Sequence, residues 1–393
     1  MSGLLSAAGG IVAAASLPGS LVLALLSGAA LLPARRSLAL PPETGRIAIV
    51  VPAHDEAASI GATAGALAAA CAADGAADLW VIADNCSDAT AELATASGAR
   101  VIVRDEPQRR GKGPALAHAF DSLAGAGYAW YIVIDADSEV APGFLDAMRR
   151  AMTPQRDALQ ACYLSRPATT RRGRLARLAQ IGYNLVRPRG RSRIGCSVGI
   201  LGNGFALRAN LLERIPYAAD SVVEDLEYHL LLVAAGIEVA YVPDALVLGE
   251  IAESANGSRQ QRTRWEGGRL RMLATRFPGI AAAVAQGRWR QLETLADLLL
   301  LPLGLHLLLV AGGLLAPAPL AMTAASVFIV AIAAYLLAIF RRGPVTAGDL
   351  AALLAAPGYL AWKIALLPAT LARSRRNAAW IRAERAIECQ GQS

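Results

Sequence analysis

Asp135 and Asp137 close the apolar run in "AWYIVIDADSEV". Two carboxylates at i and i+2 after a buried strand end can share a divalent cation and its bound phosphates. Magnesium and manganese take hard oxygen ligands and keep substrate phosphates in their shell. A solvated turn is the plainer alternative. Two other apolar runs end in acids: "IAIVVPAHDE" in Asp55 and Glu56, and "LWVIADN" in Asp84. Asp84 could close its strand as an Asx turn or accept a hydrogen bond from a nucleotide base or ribose. Lys112 sits between glycines in "RRGKGPA", and Lys363 is the one other lysine in the sequence. Glycines let backbone approach a ligand, so Lys112 reads as a diphosphate contact or as a solvated loop charge. In "VVEDLEYHLLL", Glu224 and Asp225 precede a helical run. Asp225 could cap that helix or act as a general base on an acceptor hydroxyl.

These groups need a scaffold that gathers them. The pattern predicts a strand over 47–51, stopped by Pro52, then a helix with Ser59 as N-cap. A strand over 79–83, a polar turn and a helix from Ala89 repeat the plan. "ARVIVRDE" is a further strand and "GKGPALAHAFDSL" a further helix. Such alternation predicts an α/β domain with a mostly parallel sheet. Ligands of such sheets bind at the carboxyl ends of the strands, where these acids fall.

The rest of the chain is apolar. Of 393 residues 55% are hydrophobic and 18% charged, mean hydropathy is +0.40, and net charge is +7. Ordinary soluble domains carry more charge. A basic balance suits nucleic acid, anionic lipid or phosphorylated ligands, but no nucleic-acid motif is present and no nucleic-acid partner is expected. Cys71, Cys86, Cys162, Cys196 and Cys389 show no CxxC pairing, which fits a reducing compartment. Residues 3–32 carry no charge and are long enough to span a bilayer. Arg35 and Arg36 follow and place that end in the cytoplasm. Runs over about 295–315 and 319–340, joined by Ala316-Pro317-Ala318, read as a helical hairpin. Arg341 and Arg342 return it to the same side. Residues 349–371, broken at Pro357-Gly358 and followed by a basic tail, read as an interfacial or re-entrant helix. His306 reads as a packed or hydrogen-bonded residue. The expected organisation is an N-terminal anchor, 1–34; a cytoplasmic domain, 45–290; a hairpin, 292–340; and an interfacial helix with a basic tail, 341–393. The protein is expected to be multi-pass in the inner (plasma) membrane, with membrane lipids as partners. The arginine-rich stretch 166–193 could lie on an anionic leaflet.

Taken in order, "VPAHDEAASI", "ADNCSD", "DAD", "VEDLE" and the QxxRW of "QQRTRW" resemble the motifs of membrane-embedded family-two glycosyltransferases. That branch includes the cellulose, hyaluronan and poly-N-acetylglucosamine synthases and ceramide glucosyltransferase. The resemblance covers about 45–270. It implies a GT-A fold, a Rossmann-like nucleotide-diphospho-sugar transferase domain, and a hexosyltransferase dependent on Mg2+ or Mn2+. It further implies that Glu56 and Asp84 hold the nucleoside, Asp135 contacts the donor and Asp137 ligates the metal. Asp225 would be the inverting base, beside Glu224. Gly202, Asn203 and Gly204 of "GNGFALR" resemble the loop that meets the acceptor. Gln261, Arg264 and Trp265 would line the donor and acceptor site. Arg264 suits a diphosphate bidentately, and Trp265 offers a flat face to a sugar ring. Many relatives have two adjacent acids where this chain has Ala83-Asp84, so nucleotide contacts can differ.

The expected activity moves a sugar from a nucleotide-diphosphate sugar to a lipid-linked or glycan acceptor at the cytoplasmic membrane face. Its product would enter cell-surface polysaccharide or glycolipid. A processive synthase is the first alternative, using an oligomer or polysaccharide-export partners to complete a pore. A non-catalytic nucleotide-sugar-binding regulator is the second.

Overall fold

The computed structural model describes residues 2–33, 41–219, 221–250, 255–300 and 303–374. Among these the chain divides into two compact units. One holds 41–167 and 197–261; the other holds 2–33, 168–196 and 262–374.

The first unit is built on one eight-stranded sheet: β1 (Arg46–Ala53), β2 (Ala77–Asp84), β3 (Arg100–Arg104), β4 (Tyr128–Val133), β5 (Glu139–Val140), β6 (Ala158–Ser165), β7 (Phe205–Arg208) and β8 (Val239–Gly249). Their spatial order is β3-β2-β1-β4-β7-β6-β8-β5. The β3-β2-β1-β4 half is parallel, β7 runs antiparallel between β4 and β6, and β8 pairs parallel with β6. Helices cover both faces, so the central strands read as continuous apolar runs. On β1, Ile47, Ile49 and Val51 enter one core with Ile60 and Leu67 of the helix Ile60–Asp74. Ala48 and Val50 enter the opposite core with Leu116 and Phe120 of the helix Lys112–Leu123. The carboxyl ends of β1, β2 and β4 share one edge, as the alternation predicted. Ser59 is the N-cap residue of its helix, but its hydroxyl makes no cap; Ser59 Oγ donates to Glu56 Oε2 at 3.0 Å.

The second unit is helical. Two of its helices, Leu5–Leu31 and Ala318–Arg342, are long and apolar enough to cross a membrane. The run expected over 295–315 is not straight. Helices Gln291–Leu299 and Leu303–Gly313 are inclined at 78° to one another. Counted as one bent span, they make three. Residues 349–371 form short pieces, Ala347–Ala352, Leu353–Ala355, Ala356–Ala365 and part of Leu367–Ser374, each too short to span a bilayer. Pro357 opens a helix here rather than breaking one. His306 Nε2 lies 2.8 Å from Ser20 Oγ. The expected tail beyond 374 and the anchor's Arg35 and Arg36 fall outside the described residues.

The expected segment 45–290 is therefore divided, because 168–196 and 262–290 lie with the apolar helices. Charge pairing explains the inserted stretch. Arg177, Arg187 and Arg191 are buried. Arg177 pairs with Asp349 at 2.7 Å, Arg187 with Asp297 at 2.6 Å, and Arg191 with Glu293 at 3.6 Å. These three arginines thus turn inward to acids of later helices instead of facing a leaflet. Breaking such a buried pair costs about 3–5 kcal/mol, because the remaining charge is stranded.

Candidate active site

At the end of β1, Asp55 adopts φ 52°, and beyond β2 Asn85 adopts φ 50°. Asp and Asn tolerate this left-handed region better than most residues. The two turns are stapled together. His54 Nδ1 donates to the Asp84 carbonyl at 2.7 Å, Ser87 N donates to Asp55 Oδ1 at 2.6 Å, and Ala57 N donates to Asp88 Oδ2 at 3.0 Å. Glu56 is buried, and its N–H donates to Thr90 Oγ1 at 2.8 Å.

Asp84 ends β2 opposite Arg104 of β3. Both side chains are buried and form an ion pair; Asn85 Nδ2 also donates to Asp84 Oδ1 at 2.7 Å. Arg104 in turn donates to Glu106 Oε2 at 2.9 Å and to the Arg109 carbonyl at 2.8 Å. It thus ties Asp84 to the loop that leads to Lys112. Arg104 escaped the sequence reading, because an arginine ending "RVIVR" looks like a solvated strand end.

Beyond β4, Lys112 Nζ donates both to Asp135 Oδ1 and to the Gly202 carbonyl. Burial pulls the Lys112 ammonium down, but Asp135, Glu224 and Asp225 together raise it above its ordinary value. Lys112 is thus held as a cation among carboxylates. Asp135 N donates to Asn203 Oδ1 at 3.1 Å, and Asn203 Nδ2 donates to Ser138 Oγ at 2.7 Å. The Asn203 carbonyl accepts from Gln160 Nε2 at 2.8 Å, while Gln160 Oε1 accepts from Leu201 N at 2.9 Å. Gln160 is fully buried on β6. A lone amide in "ALQACYLS" was its only signal in the sequence. Gly202 and Gly204 have φ of 80° and 69°, a conformation that favours glycine.

Asp225 lies in the first turn of the helix Glu224–Ala234 and is not its N-cap, which is Val223. Its Oδ1 accepts from Leu226 N at 2.8 Å. Its Oδ2 would stand 3.2 Å from a Cβ built on Gly202. Burial pushes the Asp225 carboxyl above the usual carboxylate range, although the Leu226 N–H and Lys112 oppose the shift. Burial, with the charges of Asp135 and Asp137, also raises the Tyr163 phenol. Tyr163 was not foreseen either.

The structure thus gathers Lys112, Asp135, Asn203, Gly202, Gly204, Glu224 and Asp225 at one end of the sheet. Glu56 and Asp84 belong to the neighbouring β1 and β2 turns. Gln261, Arg264 and Trp265 lie instead on the helix Ala255–Ala285, with Gln261 in the sheet unit and Arg264 and Trp265 in the helical unit. The chemistry of the donor sets separates two candidate cation positions. Asp135 and Asp137 offer only carboxylate oxygens, as magnesium and manganese prefer beside substrate phosphates. Asp55, Cys86 and Asp88 bring their ligand atoms within 4.8 Å of one another. That group includes a thiol, a poor ligand for such ions, and its carboxylates already accept N–H groups of the two turns.

A family model described as "Glycosyltransferase like family 2" matches residues 42–268, and the chain belongs to that family. It is a glycosyltransferase that draws on a nucleotide-sugar donor. Among solved structures, the mannosyltransferase PcManGT from Pyrobaculum calidifontis, in complex with GDP-Man and Mn2+, aligns over 94% of this chain and 97% of its own. The TM-score is 0.53 at 18% identity, a likeness of fold. Mannosyl-3-phosphoglycerate synthase from Rubrobacter xylanophilus aligns over 62% of this chain and 75% of its own, with TM-score 0.44 at 20% identity. Glucosyl-3-phosphoglycerate synthase from Mycobacterium tuberculosis aligns over 56% and 77%, with TM-score 0.40 at 23% identity. No curated protein matches the sequence. The fold is the α/β GT-A type expected.

Proposed function

We propose that the chain is a membrane-bound, inverting hexosyltransferase, with Asp225 as its base. The observation that carries this reading is the Asp225 carboxylate. It lies against Gly202, in the same cluster as Lys112 and Asp135, and its proton affinity is raised by burial. A raised pKa makes a carboxylate a better proton acceptor near neutrality.

In the proposed reaction an acceptor hydroxyl, guided by Gly202, Asn203 and Gly204 beside Glu224, gives its proton to Asp225. The freed oxygen attacks the anomeric carbon from the face opposite the nucleotide. The bond to the diphosphate oxygen breaks, the nucleoside diphosphate leaves with the electron pair, and the sugar's configuration inverts. Lys112 counters the charge that develops on the leaving group. Glu56 and Asp84 hold the nucleoside, Asp135 contacts the donor, and Gln261, Arg264 and Trp265 contact donor and acceptor. Asp137 would hold a magnesium or manganese ion, which screens diphosphate charge when bound.

Two helices of spanning length support a membrane location. The positive-inside pattern of the sequence supports a cytoplasmic location for the sheet unit. Two or three spans among the described residues are few for a polymer pore, which favours transfer of one sugar to a lipid-linked acceptor over processive synthesis.

The test supplies membranes carrying the chain with radiolabelled nucleotide sugars and either ion, beside Asp225→Asn. Label in a discrete, organic-extractable product, lost in Asp225→Asn, is expected. Label in a large polymer would replace single transfer by processive synthesis. Undiminished turnover in Asp225→Asn would remove the base.

A further inference from the structure

In the helical unit a cavity of about 470 Å³ is lined by Thr169, Arg171 and Arg174 on one side and by Gly348, Ala352 and Leu354 on the other. Its basic wall is the start of the helix Arg171–Ile181, where the Thr170 hydroxyl accepts from Gly173 N at 3.0 Å. The acid nearest in sequence, Asp349, is buried and engaged. It accepts from Arg177 Nη1 at 2.7 Å and from Thr346 N and Oγ1 at 2.9 Å each. Arg174 is held close by shape, since a Cβ on Gly348 would collide with its guanidinium.

The opposite wall is apolar and faces outward. Leu354 is 88% exposed, and Leu350, on the preceding turn, is 48% exposed. Exposure of large apolar groups beside cationic ones is the pattern of a segment lying at a lipid interface. Position along the chain agrees. The wall begins six residues after Arg342, the end of a helix of spanning length. Nearby, Arg172 lies 4.7 Å over the Trp362 ring and Arg262 5.2 Å over Tyr359. Aromatic rings with basic partners concentrate at headgroup depth.

We propose that this cavity binds the phosphate of an anionic phospholipid, with the guanidinium groups of Arg171 and Arg174 on the phosphate and the acyl chain along Leu354. A planar guanidinium matches phosphate oxygens bidentately, and the N-terminus of the helix adds favourable partial charge. The proposal rests on reading Ala318–Arg342 as a membrane span. The site would anchor the helical unit against the bilayer and prefer anionic over zwitterionic lipid.

The test uses the purified full chain in detergent. Native mass spectrometry counts bound dioctanoyl phosphatidylglycerol against dioctanoyl phosphatidylcholine, with and without inorganic phosphate as competitor. The expected result is a preference for phosphatidylglycerol that falls about tenfold or more in the Arg171→Gln/Arg174→Gln double variant. Gly348→Ala should weaken the preference while keeping both charges, which separates site geometry from loss of charge. Melting curves of each variant exclude unfolding. Equal binding of the two lipids, or preference retained in the double variant, overturns the proposal. Displacement by millimolar inorganic phosphate also overturns it, since the site would then take a free anion. Alkaline carbonate extraction of cell membranes separates the two readings. Release of the wild-type chain refutes the membrane span and the lipid site with it, whereas retention without lipid preference refutes the lipid site alone.

Discussion

The Asp225 carboxylate stands 3.2 Å from where a Cβ on Gly202 would lie, and the Gly202 carbonyl accepts from Lys112. One glycine therefore leaves room for the candidate base by lacking a side chain and holds the cluster's cation through its backbone carbonyl. Gly202→Ala should strain the backbone at φ 80° by roughly 1–2 kcal/mol and press on Asp225. Turnover should fall at least ~10-fold through misplacement of the base, with donor KM little changed. Steady-state kinetics check this; an unaltered kcat would show that the contact has no bearing on the reaction.

Gln160 holds the same loop from below. Its amide donates to the Asn203 carbonyl at 2.8 Å and accepts from Leu201 N at 2.9 Å, fully buried on β6. Gln160→Met keeps the volume and strips these bonds, together with those from the amide to the Ala161 and Gly204 carbonyls. Leaving buried backbone groups unpaired costs about 1–3 kcal/mol, so denaturant melts should show a loss in that range. The loop should also admit water beside Asp225, and the acidic limb of the rate profile should move to lower pH. A stability loss with an unmoved limb would make Gln160 structural only.

How much of this was legible in the sequence follows from range. Parallel β1 to β4 were readable because β-branched runs and helix starts are local signals, and acids at strand ends mark the binding edge. Lys112, Asp135 and Asp225 stood out as acids or a rare lysine among apolar neighbours. Gln160 and Arg104 did not, because their meaning lies in partners 43 and 20 positions away. Arg177, Arg187 and Arg191 misled for the same reason. An arginine beside leucines reads as surface-seeking until Asp297 and Asp349, more than a hundred residues on, are brought against it. The bend between Gln291–Leu299 and Leu303–Gly313 was not legible, because hydropathy averages over it.

Asp225 also sets the pH dependence. Its folded carboxyl binds protons more tightly than an ordinary one because burial disfavours the charge. As the base it must be ionised, so kcat should rise with pH along a limb displaced above the usual carboxylate range. The same burial makes the ionised form destabilising: the favourable contribution of protonated Asp225 is present at low pH and is lost as pH rises through the raised pKa. Asp225→Asn should therefore abolish turnover yet melt at the same or higher temperature at pH 7. A large drop in Tm at that pH would contradict the burial argument.

Arg104 and Asp84 separate a structural from a ligand-binding role. Both are buried, paired across β2 and β3, and Arg104 also holds the Arg109 carbonyl at 2.8 Å. Arg104→Met leaves Asp84 buried without its main cation and should cost about 3–5 kcal/mol. Adding Asp84→Asn should recover much of that loss, because the stranded charge is then gone. The single variant Asp84→Asn answers the functional question. If Asp84 also contacts the nucleoside, its donor KM should rise several-fold with kcat preserved at saturation, since the lost interaction is present in ground state and transition state alike. A KM equal to that of the wild type, with only the melting temperature changed, would leave Asp84 as a brace for the loop that carries Lys112.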